Sequence, residues 1–226
     1  MPEALLQPMS TTTHTSIDMS DLYRTIAEPS EATVTEKRSK FLAFAWPVTS
    51  VDEAMGRVGE LQRKYYDARH VCYAYMLGAD RTVFRANDNG EPSGTAGKPI
   101  LGQINSLELT DVVVGVVRYF GGIKLGTPGL IAAYRAAARA ALDSATVEER
   151  HVLRRVDFTY PYASINDAMK LTRMPGVRVA DSVYDNVCRL VLDVEADRAA
   201  AVVRAVADVA GASLCDDNDL TTNINI

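Results

Sequence analysis

The stretch "VVVGVVRYFGGIKLGTPGLIAAYRAA", Val112 to Ala137, limits the possible folds more than any other part of this chain. Its opening valines show no alternation with polar residues, the pattern of a central strand buried on both faces. Gly121, Gly122, Gly126 and Gly129 follow, and then an alanine-rich helix ending near Ser144, with Thr127 as its cap and Pro128 in its first position. Glycines at this density cost conformational entropy on folding, so something requires a bare backbone there. Two roles stand open. Amides between a strand and a helix start can hold an anion, helped by the helix dipole, and Lys124 adds a positive charge. Alternatively, the glycines form a tight turn and let the helix pack on the sheet. The spacing fits neither G-x-x-x-x-G-K-[ST] nor G-x-G-x-x-G, which sets aside P-loop and dinucleotide sites.

Patterning on either side supplies the remaining elements. Strands are predicted over 32–35 and 41–48, joined by the basic turn "EKRSK". Ser50 with Glu53 three residues later forms a capping box, and Val51, Met55, Val58, Leu61 and Tyr65 recur at helical spacing. "HVCYAYML" and "RTVFRA" read as strands. "NDNGEPSGTAGK" is a loop by composition, after which Pro99 opens a short helix to Ser106. Beyond residue 150 the order becomes strand (153–160), helix (164–173), strand (177–184), strand (187–194), helix (197–210) and strand (212–215). That βαββαβ order is ferredoxin-like. The expected architecture is α+β with two domains: a tail over 1–20, a first domain over 21–150 and a second over 151–226.

The chain has 226 residues, of which 47% are hydrophobic and 23% charged, as in an ordinary globular protein. The first twenty residues show neither a basic leader nor a continuous apolar core. The longest strongly apolar run, Val112 to Val117, is far short of the roughly 20 residues of a membrane helix. A cytoplasmic protein without a membrane partner is expected. Cys72, Cys188 and Cys215 are scattered and read as reduced thiols. The net charge of −5 argues against generic nucleic-acid binding. Residues 61–140 nevertheless hold ten Lys and Arg against six Asp and Glu, so the basic share sits where the glycines are.

Several chemistries compete for these loops. Placing Gly90 as an EF-hand glycine puts Arg85 first and Ala96 last, which excludes that calcium site. Asp88 and Glu91 are candidate acid–base groups, Ser93 or Thr95 a candidate nucleophile and His70 a candidate base, but no nucleophile elbow is present. Arg118, Tyr119, Phe120 and Lys124 offer charge with stacking, which suits single-stranded nucleic acid. The competing expectation is that alternation turns Arg118 and Phe120 to one face, Phe120 into the core and Arg118 onto an acid.

"NDNGEPSGTAGKPIL", then "VVRYFGGIKLGTPGL" and "AY", resemble the IMPACT/YigZ family. Its first motif is usually D-D-G-E-P-S-G-T-A-G-K-P and its second R-Y-F-G-G-[IV]-K-L-G-x-G-G-L-[VI]-R-A-Y; "EKRSKFLAFAWPV" and "YDARHVCYAY" match its earlier segments. The resemblance covers roughly residues 30–142. It implies a first domain like the second domain of small-subunit ribosomal protein five, and a tail domain like a late domain of elongation factor G. Eukaryotic members regulate translation by competing for the activator of the kinase that phosphorylates initiation factor 2, partly through an extra N-terminal domain. The short tail expected here leaves no room for that domain. Three positions depart from the pattern: Asn89 replaces an acid, Pro128 a glycine and Ala132 an arginine, with Arg135 about one turn further on as a substitute cation.

Together these readings lead to a non-enzymatic, translation-associated regulator that binds RNA, the ribosome or another phosphate-bearing partner. Its anion- or nucleic-acid-binding residues would be Lys98, Arg118, Tyr119, Gly121, Gly122, Lys124, Gly126 and Arg135. The second loop would contribute Asp88, Glu91, Ser93, Gly94, Thr95 and Gly97. No cofactor and no metal are expected. A phosphate-handling enzyme, such as a small-molecule kinase or hydrolase, is one alternative. A module binding a protein partner in translation control is the other.

Overall fold

A computed structural model describes residues 21–215 and 223–224. The expected tail over residues 1–20 lies outside the described residues. The chain forms β1 (Leu22–Ile26), β2 (Ser30–Glu36), β3 (Ser39–Pro47), α1 (Val51–Lys64), β4 (His70–Leu77), β5 (Val83–Asn87), α2 (Gly97–Ser106), β6 (Val112–Tyr119) and α3 (Gly126–Asp143). There follow β7 (Val147–His151), β8 (Leu153–Pro161), α4 (Ile165–Leu171), β9 (Val177–Val183), β10 (Val187–Glu195), α5 (Ala196–Ala207), β11 (Ser213–Leu214) and β12 (Asn223–Ile224).

The valine run is the middle strand of an antiparallel sheet ordered β2-β3-β6-β4-β5. Every residue from Val112 to Arg118 is buried, because both faces of β6 are covered. Val112, Val114 and Val116 meet Phe41, Ile100, Leu130 and Tyr134 beneath α2 and α3. Val113 and Val117 turn to the opposite face, where Val58 and Leu61 of α1 pack. Helix α1 begins at the predicted cap, with the Glu53 amide donating to Ser50 Oγ at 3.2 Å, but the Glu53 carboxylate reaches one residue further back than a capping box requires, Oε2 accepting from the Thr49 amide at 2.8 Å.

In the second sheet β11, β8, β10 and β9 lie side by side, with β12 also pairing to β8. With α4 and α5 on one face around Phe158, Leu190, Leu192 and Val202, this is the expected βαββαβ arrangement. The whole is an α+β protein of two domains, the first with apolar clusters on both faces of its sheet. Strands β1 and β7 form a separate two-stranded antiparallel ribbon, with Ile26 of β1 buried in the first domain's core. Neither strand of the ribbon is predicted by pattern, since "VEERH" carries four polar or charged residues in five.

Two helix starts differ from expectation. Helix α2 begins at Gly97, two residues before Pro99, because a carboxylate distant in sequence satisfies its first amides. Helix α3 begins at Gly126, so Thr127 is not its cap and Pro128 falls within the first turn. Proline fits there because the first-turn amides lack intrahelical partners in any case.

Candidate site where the two glycine loops meet

The loop after β5 is built around Asp88. Its Oδ1 accepts from the amides of Ala96 at 2.9 Å and Gly97 at 2.8 Å, and its Oδ2 from that of Gly94 at 2.7 Å. Partial burial acts to raise the Asp88 carboxyl, but the amides of Gly94, Gly97 and Ala96, with Lys98 nearby, outweigh it and hold it below the ordinary range. The amides that would have cradled an external anion are thus occupied by an internal one. Gly97 has a second reason to be bare: a Cβ there would lie 2.5 Å from the Asn87 nitrogen. Thr95 is buried and closes the turn by donating from Oγ1 to Pro92 O at 2.7 Å, whereas Ser93 is exposed.

Asn89, where the family motif has an acid, donates from Nδ2 to Val71 O at 3.0 Å, a bond that an ionised aspartate cannot supply. The neighbouring His70 Nδ1 lies 2.9 Å from Asn89 O, so that ring nitrogen already has a partner.

Beneath this loop lies a buried polar chain. Arg118 Nη1 donates to Glu91 Oε1 at 2.6 Å, Tyr134 Oη donates to the same oxygen at 2.8 Å, and Cys72 Sγ donates to Tyr134 Oη at 3.3 Å. The Glu91 and Arg118 side chains are 3% and 9% exposed, so this is an interior ion pair rather than a surface one. The Arg118 guanidinium also sits 5.6 Å from the Phe41 ring centroid and 5.7 Å from that of Phe120. Burial pushes the Cys72 thiol up to about 12, and burial likewise raises the Tyr134 hydroxyl far above its ordinary value.

The first glycine loop follows β6. A Cβ on Gly121 would fall 2.0 Å from the Arg38 carbonyl carbon, so this glycine lets the β2–β3 hairpin cross the loop. Gly122 (φ +85°) and Gly126 (φ +70°) instead hold backbone shapes that side chains disfavour. Close backbone contact accounts for Gly121 and Gly97, and positive φ for Gly122 and Gly126, all of which belongs to the turn-and-packing role.

The two loops converge. A cavity of about 460 Å³ is lined by Gly90, Glu91 and Pro92 from one and by Phe120, Lys124 and Gly126 from the other. Arg69, His70 and Arg118 complete its polar wall. Arg69 and Lys124 are exposed, and neither forms an ion pair with any described residue. Arg118 takes the acid partner that alternation predicts, while Phe120 does not enter the core. It stands 56% exposed at the rim, because β6 has ended at Tyr119 and strand alternation no longer applies. Tyr119 points to the α1 face and donates to Asp67 Oδ1 at 2.7 Å; that bond raises its hydroxyl to about 12. Lys98 and Arg135 are exposed but do not line the cavity. Arg69 is absent from the expected site residues although it lies in the family-like segment "YDARHVCYAY", and that segment is the signal that could have found it.

A second cavity of about 460 Å³ lies between β7 and the second sheet. Glu148 and Glu195 on its wall are already bound by Arg150 and Arg198. Among the described residues no cluster of three or more His, Cys, Asp or Glu is placed to hold a metal ion, and no helix is long and apolar enough to cross a membrane.

Fold and site together define a two-domain α+β protein whose first domain gathers two glycine-rich loops around a cationic, aromatic-rimmed hollow. A model of the Impact N-terminal domain matches residues 37–142. The chain is 32% identical to the IMPACT family member YigZ of Escherichia coli over 180 residues, 79% of this chain and 88% of that protein. It is 38% identical to the IMPACT family member YvyE of Bacillus subtilis over 132 residues, 58% of this chain and 61% of that protein. This protein belongs to the IMPACT family. A crystal structure described as that of a hypothetical protein superimposes with a TM-score of 0.72 at 29% identity, covering 86% of this chain and 96% of the other.

Proposed function

We propose that this protein is a cytoplasmic, non-enzymatic, translation-associated regulator that binds RNA, alone or in the ribosome, through the cavity between its glycine loops. The observation that carries this reading is the meeting of Arg69 and Lys124, both exposed and without ion pairs among the described residues, with the exposed Phe120 ring around one hollow. Unpaired cations attract phosphates, and an exposed ring beside them offers a stacking face for a base. Membership of the IMPACT family supports the link to translation. Arg118 acts as a positioning residue here, since Glu91 neutralises it. Lys98 and Arg135 widen the positive field without touching the bound nucleotide.

Fluorescence anisotropy with single-stranded RNA over a salt series tests the reading. For a single strand, removing one cation that neutralises a phosphate should flatten the plot of log affinity against log salt by about 0.7. Arg69→Ala with Lys124→Ala is expected to weaken binding and flatten the slope by about 1.4. Unchanged affinity and slope in the double variant would overturn it.

A further inference from the structure

Glu91 presents an acceptor that the fold itself does not use. Its Oε1 accepts from both Arg118 and Tyr134, but Oε2 receives no hydrogen bond from any described residue. The side chain is 3% exposed, and the residue lines the cavity. Arg118 Nε is sealed from solvent without a partner, whereas Oε2 is not among the sealed atoms. Reachable from the cavity, this carboxylate oxygen is open to a ligand's donor in place of water.

The surroundings limit what that donor is. Arg69 and Lys124 share the cavity wall while Arg118 already neutralises Glu91, so a cationic side chain from a partner protein would be repelled. A neutral N–H group is not. Phe120 at the rim favours a flat aromatic carrier for that N–H, and Lys124 with Arg69 favours an anion attached to the same molecule. The cavity volume lies within the range of sites that enclose a small ligand.

Building on the proposed RNA binding, we infer that the cavity takes a splayed-out base bearing an exocyclic amino group, whose N–H donates to Glu91 Oε2. Cytosine, adenine and guanine carry that group. Uracil presents a carbonyl oxygen in its place, which would meet the carboxylate lone pairs. Single-stranded RNA is commonly read in this way, by stacking an unpaired base and bonding its edge. The reading of one base by a single charged acceptor corresponds to a preference of about tenfold.

Labelled oligocytidine and oligouridine of about eight nucleotides, within the usual footprint of a single-strand site, separate the possibilities by anisotropy. The wild-type protein is expected to bind oligocytidine about tenfold tighter. Glu91→Gln retains an acceptor for Arg118 and Tyr134 and turns an N–H₂ group toward the cavity, so the preference should fall to parity or reverse toward uridine. Thermal unfolding of Glu91→Gln checks that it remains folded. Should that variant fail to fold, Phe120→Ala at the exposed rim replaces it and is expected to weaken both oligomers alike while leaving the cytidine preference in place. Equal binding of the two oligomers by the wild type, abolished in the Arg69→Ala/Lys124→Ala protein, overturns the base reading and leaves the RNA reading standing. No binding of either oligomer overturns both.

Discussion

Replacing Asp88 by asparagine tests whether one carboxylate organises the second glycine loop. The change is isosteric. It leaves Oδ1 able to accept from Ala96 and Gly97 as a neutral oxygen, but sets an N–H₂ group against the Gly94 amide. Two charge-assisted bonds become ordinary ones, each weakened by up to about 1 kcal/mol, and a third disappears. The negative charge beside the first turn of α2 also goes, at about 0.5 kcal/mol. Asp88 is partly solvated, so water recovers some of this, and the expected cost is about 2 kcal/mol at pH 7, or roughly 4–8 °C in Tm. Urea unfolding followed by fluorescence is a suitable assay, because Trp46 is the one tryptophan of the chain and lies in β3 of the first sheet. The folded-state pKa of Asp88 lies below its ordinary 3.8, so its stabilisation is complete above that value and is lost as the pH falls through the folded-state value. The gap between wild type and variant should therefore hold near neutrality and close in strong acid. Equal stability at pH 7 would refute the idea that this carboxylate holds the loop.

Other perturbations follow from the same geometry. Gly121→Ala drives a methyl group into the Arg38 backbone and should cost more than about 2 kcal/mol, whereas Gly122→Ala, with nothing within 4 Å, should cost only about 1 kcal/mol through its positive φ; paired denaturation curves measure the difference. Tyr134→Phe removes the hydroxyl shared by Glu91 and Cys72 and should lower stability by about 1–2 kcal/mol, read by the same unfolding assay. The Cys72 thiol is buried and titrates near 12, so at pH 8 mass spectrometry should find it unalkylated until the first domain is unfolded.

Local pattern carries the larger elements of this fold. The valine run, the Ser50–Glu53 cap and the βαββαβ order of the second domain are each written in contiguous residues. Strands β1 and β7 are not legible, since they stabilise each other in a ribbon and neither shows a one-sided apolar face. The start of α2 escapes pattern for a related reason: its cap comes from Asp88, nine residues before Gly97. Within the site, alternation foretells an acid partner for Arg118 but cannot name Glu91, which is 27 residues away. It fails outright for Phe120, just past the strand end. The glycines are the hardest to read. Composition marks them alike, yet Gly97 and Gly121 serve backbone crossings that exist only once distant segments have packed.

If the proposed RNA binding holds, a single strand enters the hollow between the two glycine loops. An ¹⁵N-edited NMR titration with oligocytidine measures this directly. Amide shifts are expected together at Arg69, His70, Gly90, Glu91 and the Lys124–Thr127 segment, and are expected to disappear in the Arg69→Ala/Lys124→Ala protein. Shifts confined to the face of the second sheet opposite α4 and α5, around Arg155 and Arg189, would contradict it.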